Sequence, residues 1–348
     1  MENGLNVAVL GATGAVGREF LDLFEKRQFP IGRLMLLASE RSAGSRIPFR
    51  GEDLEVQAVS ANAFDDVDVA FFSAGAGRSR EWAPVACKSG ALVVDNSSAF
   101  RMDPTVPLVV PEINWDAVKS NDKLIANPNC SAIILLMAVA PLRKLGKIDR
   151  LIVSTYQSAS GGGAAMMQDL LDQTRDSLEG RDVVPKVTPH PYAFNLFSHN
   201  TPIGPEGANE EEAKVVEESR KILGDSGLKI NVTCVRVPVL RAHSESVTVE
   251  FDGPCPDEKS VREVLSSAEG VKVIDNRVSN HFPMPVESSG QNDVFVGRIR
   301  KDPSNPSALC MFISGDQLLK GAALNAVQIA EKAIATGALV PRATATRA

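Results

Sequence analysis

Short apolar runs separated by amphipathic stretches open the chain. Residues 7–10 and 34–38 are two such runs, and between them 15–26 carries apolar side chains at helical spacing. Runs at 67–72 and 91–94 continue the series, with a helical stretch at 81–88 between them. Residues 124–126 then lead into Asn127-Pro128-Asn129-Cys130 and an apolar helix over 131–145. Strands that alternate with helices in this way predict a parallel α/β sheet. Further on the texture changes. The segments 150–156, 228–237, 246–251, 294–300 and 308–313 read as strands with few helices between them, which predicts a second, mixed or antiparallel sheet. The proline-rich stretch 184–207 predicts a long exposed excursion. Helical spacing returns at 318–335, which is expected to pack back on the first domain. A length of 348 residues fits two domains. The pattern divides them into 1–128 with 318–348, and 129–317.

Chemistry enters at the first strand–helix turn. Gly11, Gly14 and Gly17 stand in Gly-Ala-Thr-Gly-Ala-Val-Gly, directly after a strand and opening a helix. Glycine lets the backbone turn tightly against a pyrophosphate, and the helix N-terminus offers free N–H groups and a positive dipole end. The spacing is G-x-x-G-x-x-G, so a ligand-free tight turn remains a competing reading. The second strand runs into Ser39-Glu40-Arg41-Ser42. An acidic residue there suits the ribose hydroxyls of NAD, whereas an arginine suits a 2′-phosphate. Glu40 keeps NAD open; Arg41 between serines favours NADP.

Composition narrows the classes. A net charge of −6 leaves no basic surplus to neutralise phosphates, which excludes bulk nucleic-acid binding. The longest apolar run, 132–142, is too short for a bilayer and is broken by Pro141, so no membrane span is expected. The five cysteines are widely spaced, without a C-x-x-C pair, which argues against a disulfide framework or a structural zinc site. No signal or transit segment is visible at the start. A reducing, cytoplasmic setting is expected; the plastid stroma stays open for a chain whose transit peptide has been trimmed.

Cys130 is the cysteine whose setting predicts reactivity. It stands at the mouth of a helix after a proline-restricted turn, where backbone N–H groups stabilise a thiolate and can hold an oxyanion. Cys87, Cys234 and Cys310 lie in helix or strand patterns and read as core, and Cys255 lies in a proline-flanked turn. A thiol that forms a thioester needs an acid/base partner. Of four histidines, His243 follows a strand, while His190, His199 and His281 sit in proline-containing loops where a surface reading is equally open.

The glycine loop, Asn127-Pro-Asn-Cys130, Tyr156-Gln157-Ser-Ala-Ser-Gly161 and Arg236…His243, in this order, resemble the aspartate-semialdehyde dehydrogenase family over nearly the whole chain. The resemblance implies a Rossmann-like NADP-binding domain and a second α+β domain, catalytic and dimerising, on a mixed sheet. It implies NADPH-dependent reduction of L-aspartyl-4-phosphate to the semialdehyde, with release of phosphate, on the way to lysine, threonine, methionine and isoleucine. Carried over position by position, Cys130 is the acyl-thioester nucleophile, His243 the acid/base, and Gln157 the residue that orients the substrate. Arg236 grips the α-carboxylate, Glu211 the amine, and Lys214 with Arg101 the phosphate; the glutamate register stays open among Glu210, Glu211 and Glu212. Gly11, Thr13, Gly14, Ala15, Val16, Arg41, Ser42, Ser160, Gly161 and Gln317 are the expected NADP contacts. A departure is the glycine triplet 161–163, which alters the loop after Gln157. The residues agree with this on charge, because the substrate needs cations at two ends and one anion between. Rival readings are an N-acetyl-glutamyl-phosphate reductase, whose acetylated substrate offers no free amine to Glu211, and a non-catalytic NADP-binding relative. The family implies a homodimer with small-molecule partners and no bound metal.

Overall fold

The computed structural model describes residues 4–340. They divide into two compact units, 4–128 with 322–340, and Asn129–Gly321. The second crossing falls at 321/322, whereas the pattern points to 317/318.

In the first unit, β1 (Leu5–Leu10), β2 (Ile31–Ala38), β3 (Arg46–Phe49), β4 (Glu52–Ala58), β5 (Val69–Phe72), β6 (Leu92–Asp95) and β7 (Leu124–Ala126) form one sheet, in the order β3-β4-β2-β1-β5-β6-β7. All neighbours are parallel except β3 and β4. The central strands read as unbroken apolar runs because both faces are covered. Val69, Ala70, Phe71 and Phe72 have no exposed surface. Helices α1 (Ala15–Lys26) and α2 (Ala76–Lys88) and the single turn α3 (Pro111–Asn114) make the crossovers. The β3–β4 hairpin was not expected. Its strands are mostly exposed, so they carry no apolar run. It turns at Arg50-Gly51, both with positive φ (50° and 82°), as a tight two-residue hairpin turn requires.

The second unit holds α4 (Cys130–Val139), β8 (Ile148–Gln157), α5 (Ala164–Leu178), β9 (Phe197–Ser198), α6 (Glu210–Leu223), β10 (Lys229–Arg236), β11 (His243–Phe251), α7 (Glu258–Ser266), β12 (Val271–Val273), the single turn α8 (Pro285–Ser288), β13 (Val294–Lys301) and β14 (Ala308–Gly315). The sheet order is β12-β13-β14-β11-β8-β10-β9. It is mixed: β8 is parallel to β10 and antiparallel to β11, and β14 is antiparallel to both its neighbours. The expectation of few helices is corrected by α5, α6 and α7. α6 packs on β10 and α7 on β12 and β13, while α5 buries Met166 and Leu170 with Ala159, Tyr192 and Phe197. The expected helix over 131–145 ends at Val139 and continues as a 3₁₀ turn, Ala140–Lys144, where Pro141 cannot supply an N–H. α4 is apolar on every side, and every residue after Cys130 is buried.

β11 alternates by side. His243, Glu245, Val247, Val249 and Phe251 are buried on one face, while Ser246 is exposed on the other, where Tyr156 of β8 is also exposed. The excursion 184–207 has only β9 as regular structure, yet it is not wholly exposed: Tyr192 is fully buried and His199 nearly so. A π-helical turn, Leu319–Ala323, precedes α9 (Leu324–Ala335). α9 belongs to the first unit, packs on α1, α3 and β6, and pairs Glu331 with Arg27 at 2.6 Å.

Candidate active site

In the first unit the glycine loop joins β1 to α1. Gly11 has φ +93°, and a Cβ there would stand 2.4 Å from the Ser73 carbonyl oxygen. At Gly17 a Cβ would stand 2.3 Å from the Gly11 oxygen, so the helix lies on its own loop. Gly14 caps α1 without a side-chain bond, and the first turn has no acid. Its N–H groups are thus suited to an anion. Thr13, Ala15 and Val16 are half-buried. β1 and β2 are parallel, Leu10 beside Leu37, so the turn that follows β2 emerges at the same end of the sheet. That turn is the 3₁₀ segment Glu40–Ser42, with Arg41 exposed. These features fit an adenine dinucleotide carrying a 2′-phosphate. Arg101, buried in the same unit, donates from Nε to the Asn127 carbonyl (2.9 Å) and from Nη2 to the Asn96 carbonyl (2.8 Å).

The second unit builds a polar cluster where the C-terminal ends of β8 and β10 meet the start of β11. Cys130 is the first residue of α4, and Asn129 caps the helix. The Asn129 side-chain oxygen accepts from the N–H of Ser131 (2.9 Å) and Ala132 (3.2 Å). Its amide nitrogen donates to Glu211 Oε1 at 2.8 Å. Gln157 ends β8 and donates to Ser131 Oγ (2.7 Å) and to the same Glu211 oxygen (3.3 Å). One carboxylate therefore aligns the cap of the cysteine helix and the glutamine. Lys214 lies 3.8 Å from Glu211 Oε2. Burial opposes the charged form of Glu211, but His199, Asn129, Lys214 and Gln157 outweigh it and hold its carboxyl below the ordinary value. The three glutamates separate cleanly. Glu210 is exposed, and Glu212 closes a capping box with Asn209 while accepting the Cys234 N–H. Only Glu211 turns to the cluster.

His243 opens β11 and is fully buried. Its Nδ1 accepts from the Ser158 N–H (3.1 Å) and lies 3.0 Å from Ser158 Oγ. A backbone N–H cannot accept, so the ring hydrogen resides on Nε2. Nε2 is buried and has no partner among the described residues. Burial and the Arg236 guanidinium push the imidazole well below its ordinary pKa, so His243 is neutral. Arg236, on the last position of β10, is buried, and its Nη1 donates to the Ser158 carbonyl at 3.2 Å. Gly161 lies against both: a Cβ there would stand 2.9 Å from His243 Cε1 and 3.0 Å from Arg236 Nη1. Gln317 locks the surrounding loops. Its amide nitrogen donates to Ser160 Oγ, and its oxygen accepts from the Ala242 N–H at 2.9 Å. Ala242 has φ +72°, the left-handed region that places the next side chain, His243.

Thus Cys130, Gln157, Ser160, Gly161, Glu211, Lys214, Arg236, His243 and Gln317 all belong to the second unit, and Gly11, Thr13, Gly14, Ala15, Val16, Arg41, Ser42 and Arg101 to the first. Residues that the sequence did not flag join the cluster. Asn129 was legible as a cap. Gly321 was not, although a Cβ there would stand 3.0 Å from that of Cys130. Asp316, fully buried, accepts from Arg241 Nε (2.6 Å) and the Gly290 N–H (2.6 Å), and from the N–H groups of Leu318 and Leu319. It fixes the turn that carries Gln317.

Two family models match: the semialdehyde dehydrogenase NAD binding domain over residues 6–121, and the semialdehyde dehydrogenase dimerisation domain over 139–320. The aspartate-semialdehyde dehydrogenase of Synechocystis sp. is 51% identical over 337 residues, 97% of this chain and 99% of its own. That of Prochlorococcus marinus is 53% identical over 327 residues, 94% of this chain and 95% of its own. The chain belongs to the aspartate-semialdehyde dehydrogenase family. Among solved structures, aspartate semialdehyde dehydrogenase II of Vibrio cholerae complexed with ASA has a TM-score of 0.92 at 40% identity, over 95% of this chain and 98% of that one. The enzyme of Candida albicans with NADP has a TM-score of 0.76 at 25% identity, over 96% and 99% of the two chains. Among the described residues no helix is long and apolar enough to cross a membrane, and no group of His, Cys, Asp and Glu is arranged to hold a metal ion.

Proposed function

We propose that the chain reduces L-aspartyl-4-phosphate to L-aspartate 4-semialdehyde and phosphate with NADPH, in the cytoplasm, through a thioester on Cys130. The observation that carries this is the joint placement of the Cys130 helix cap, Gln157 and Glu211 in one bonded cluster. The Cys130 thiolate attacks the acyl carbon, the acyl C–O bond breaks, and phosphate leaves with that bond's electron pair. The positive dipole end of α4 favours both the thiolate and the oxyanion. Bound NADPH would supply the hydride that reduces the thioester. Collapse of the resulting tetrahedral carbon releases the aldehyde and restores the thiolate. His243 is the acid/base group, its proton held at Nε2, where it meets the oxygen that gains charge. Glu211 is the partner of the substrate ammonium, Arg236 of the α-carboxylate, and Lys214 and Arg101 of the phosphate. Gly11, Gly14, Thr13, Ala15, Val16, Arg41 and Ser42 cradle NADP; Ser160, Gly161 and Gln317 complete its contacts. The wide spacing of the five cysteines, without a C-x-x-C pair, supports a reducing compartment.

The test is phosphate-dependent reduction of NADP by the purified protein with aspartate semialdehyde, set against N-acetyl-glutamate semialdehyde. Turnover of the first alone is expected. Turnover of the second alone would move the assignment to the N-acetylated substrate.

A further inference from the structure

His199 is the one histidine outside this scheme that the fold brings to the cluster. It follows β9 and continues its antiparallel pairing with β10. Phe197 stands opposite Arg236 and Ser198 opposite Val235, and the His199 N–H donates to the Cys234 carbonyl at 2.9 Å. Opposed residues of an antiparallel pair share a face, so His199, Cys234 and Arg236 point to the same side of the sheet. His199 is 6% exposed. Its ring is tied at one end. The Thr201 hydroxyl oxygen accepts from the Glu211 N–H (3.3 Å) and lies 3.2 Å from His199 Nδ1. The hydroxyl has its own hydrogen to give to Nδ1, and in the tautomer that accepts it the ring hydrogen lies on Nε2. Burial and the Arg236 guanidinium push the His199 pKa down to about 4, with Glu211 opposing and Lys214 adding to the effect. The imidazole is therefore a neutral N–H donor at neutral pH, in the field of Arg236, Glu211, Lys214 and His243.

We infer that His199 is a substrate-recognition residue, whose Nε2–H donates to the substrate α-carboxylate beside Arg236. A second cation there would repel Arg236 and compete for Glu211. A neutral donor adds a directed bond to the carboxylate without that cost. The inference rests on the reading that Arg236 holds the α-carboxylate.

The experiment separates the ring's two ends. His199→Asn keeps a polar group at the Nδ1 position, near Thr201, and removes the outer N–H; His199→Gln reaches the Nε2 position with an amide N–H. In the phosphate-dependent oxidation of aspartate semialdehyde with NADP, H199N is expected to raise KM for the aldehyde about tenfold to a hundredfold, the range for a hydrogen bond to a charged group. The effect on kcat should be far smaller, the KM for NADP unmoved, and H199Q should restore most of the loss. With 3-aminopropanal, which keeps the amine and aldehyde and lacks the carboxylate, wild type and H199N should have the same KM. A wild-type KM in H199N, or an equal loss with both aldehydes, overturns the inference. Arg236→Ala run with the same two aldehydes distinguishes the failures. If its penalty disappears with 3-aminopropanal and that of H199N does not, His199 alone is misassigned. If its penalty persists with both, the carboxylate lies elsewhere, and the inference falls with that reading.

Discussion

At the residue scale, the decisive features are groups held in states that water would not favour. Glu245 is fully buried with neither carboxylate oxygen bonded among the described residues, and burial alone lifts its pKa well above the ordinary value. The native state thus keeps a proton that the unfolded chain releases above its ordinary carboxylate pKa. The Glu245 contribution therefore favours folding at low pH and is lost as pH rises towards the folded pKa. Glu245→Gln, neutral at every pH, should raise the urea midpoint more at pH 8 than at pH 5. An equal gain at both would show that the carboxyl is not titrating. His243 and His199 act in the opposite sense. Their folded pKa values are depressed, so the unfolded chain takes up protons below about 6.5 that the native state refuses. Each should remove up to about 1.4 kcal/mol of stability per pH unit as pH falls from 6.5 towards the folded value. Replacing His199 with Gln should flatten the acid limb of the stability curve by that amount. Cys130→Ser should bind NADP yet lose nearly all turnover, and His243→Ala should slow it by about 10²–10⁴. Mass spectrometry of protein mixed with the acyl phosphate and no NADPH should place the adduct on Cys130. An adduct on Cys87 or Cys234, which burial holds as thiols at raised pKa, would refute the mechanism.

At the scale of elements, position depends on caps and turns more than on propensity. The Asp316 turn is the clearest case, since one buried carboxylate satisfies Arg241 and three backbone N–H groups. Removing one partner of such a pair costs about 3–5 kcal/mol. Asp316→Ala should lower stability by that order and displace Gln317; an unchanged thermal midpoint would show the turn is held by other means. Gly161→Ala should cut turnover and lower stability by about 1–3 kcal/mol, because the added methyl meets the buried His243 and Arg236. These contacts explain what was legible in the sequence. The strands of the first sheet announced themselves as apolar runs, and the register Asn129-Cys130 at a helix start was readable from Asn-Pro-Asn-Cys. The β3–β4 hairpin was not readable, because its short strands bury only Ile47, Phe49 and Val56 between exposed polar positions, although Arg50-Gly51 carried the turn signal. α6 was readable in retrospect from Asn209 and Glu212, whose reciprocal bonds form the capping box, and from Gly224 in the left-handed region beyond its end. His199 and Gly321 were hidden because their surroundings come from residues distant in sequence, which no local spacing records.

At the scale of the whole molecule, cofactor choice and assembly are tested separately. Arg41→Ala should weaken NADPH far more than NADH in fluorescence titration, because the exposed guanidinium is the proposed partner of the 2′-phosphate; an equal loss would assign Arg41 to the turn alone. The sheet face that exposes Tyr156 and Ser246 is the proposed contact between two copies, and light scattering at micromolar concentration should report a dimer. The order of the chain has a separate consequence for synthesis. Asn129–Gly321 is one uninterrupted stretch set inside the other unit, and its two ends meet, Gly321 against Cys130. The nucleotide-binding half precedes that stretch but lacks α9 until the codons after residue 321 are read. On the ribosome the inner half is therefore complete first, and the outer half must wait, partly formed, with the apolar side of β6 and α1 uncovered. Nascent chains halted so that residue 321 has just emerged should yield a protease-resistant fragment of the inner half and a digestible N-terminal one. Extending the halt beyond α9 should protect both.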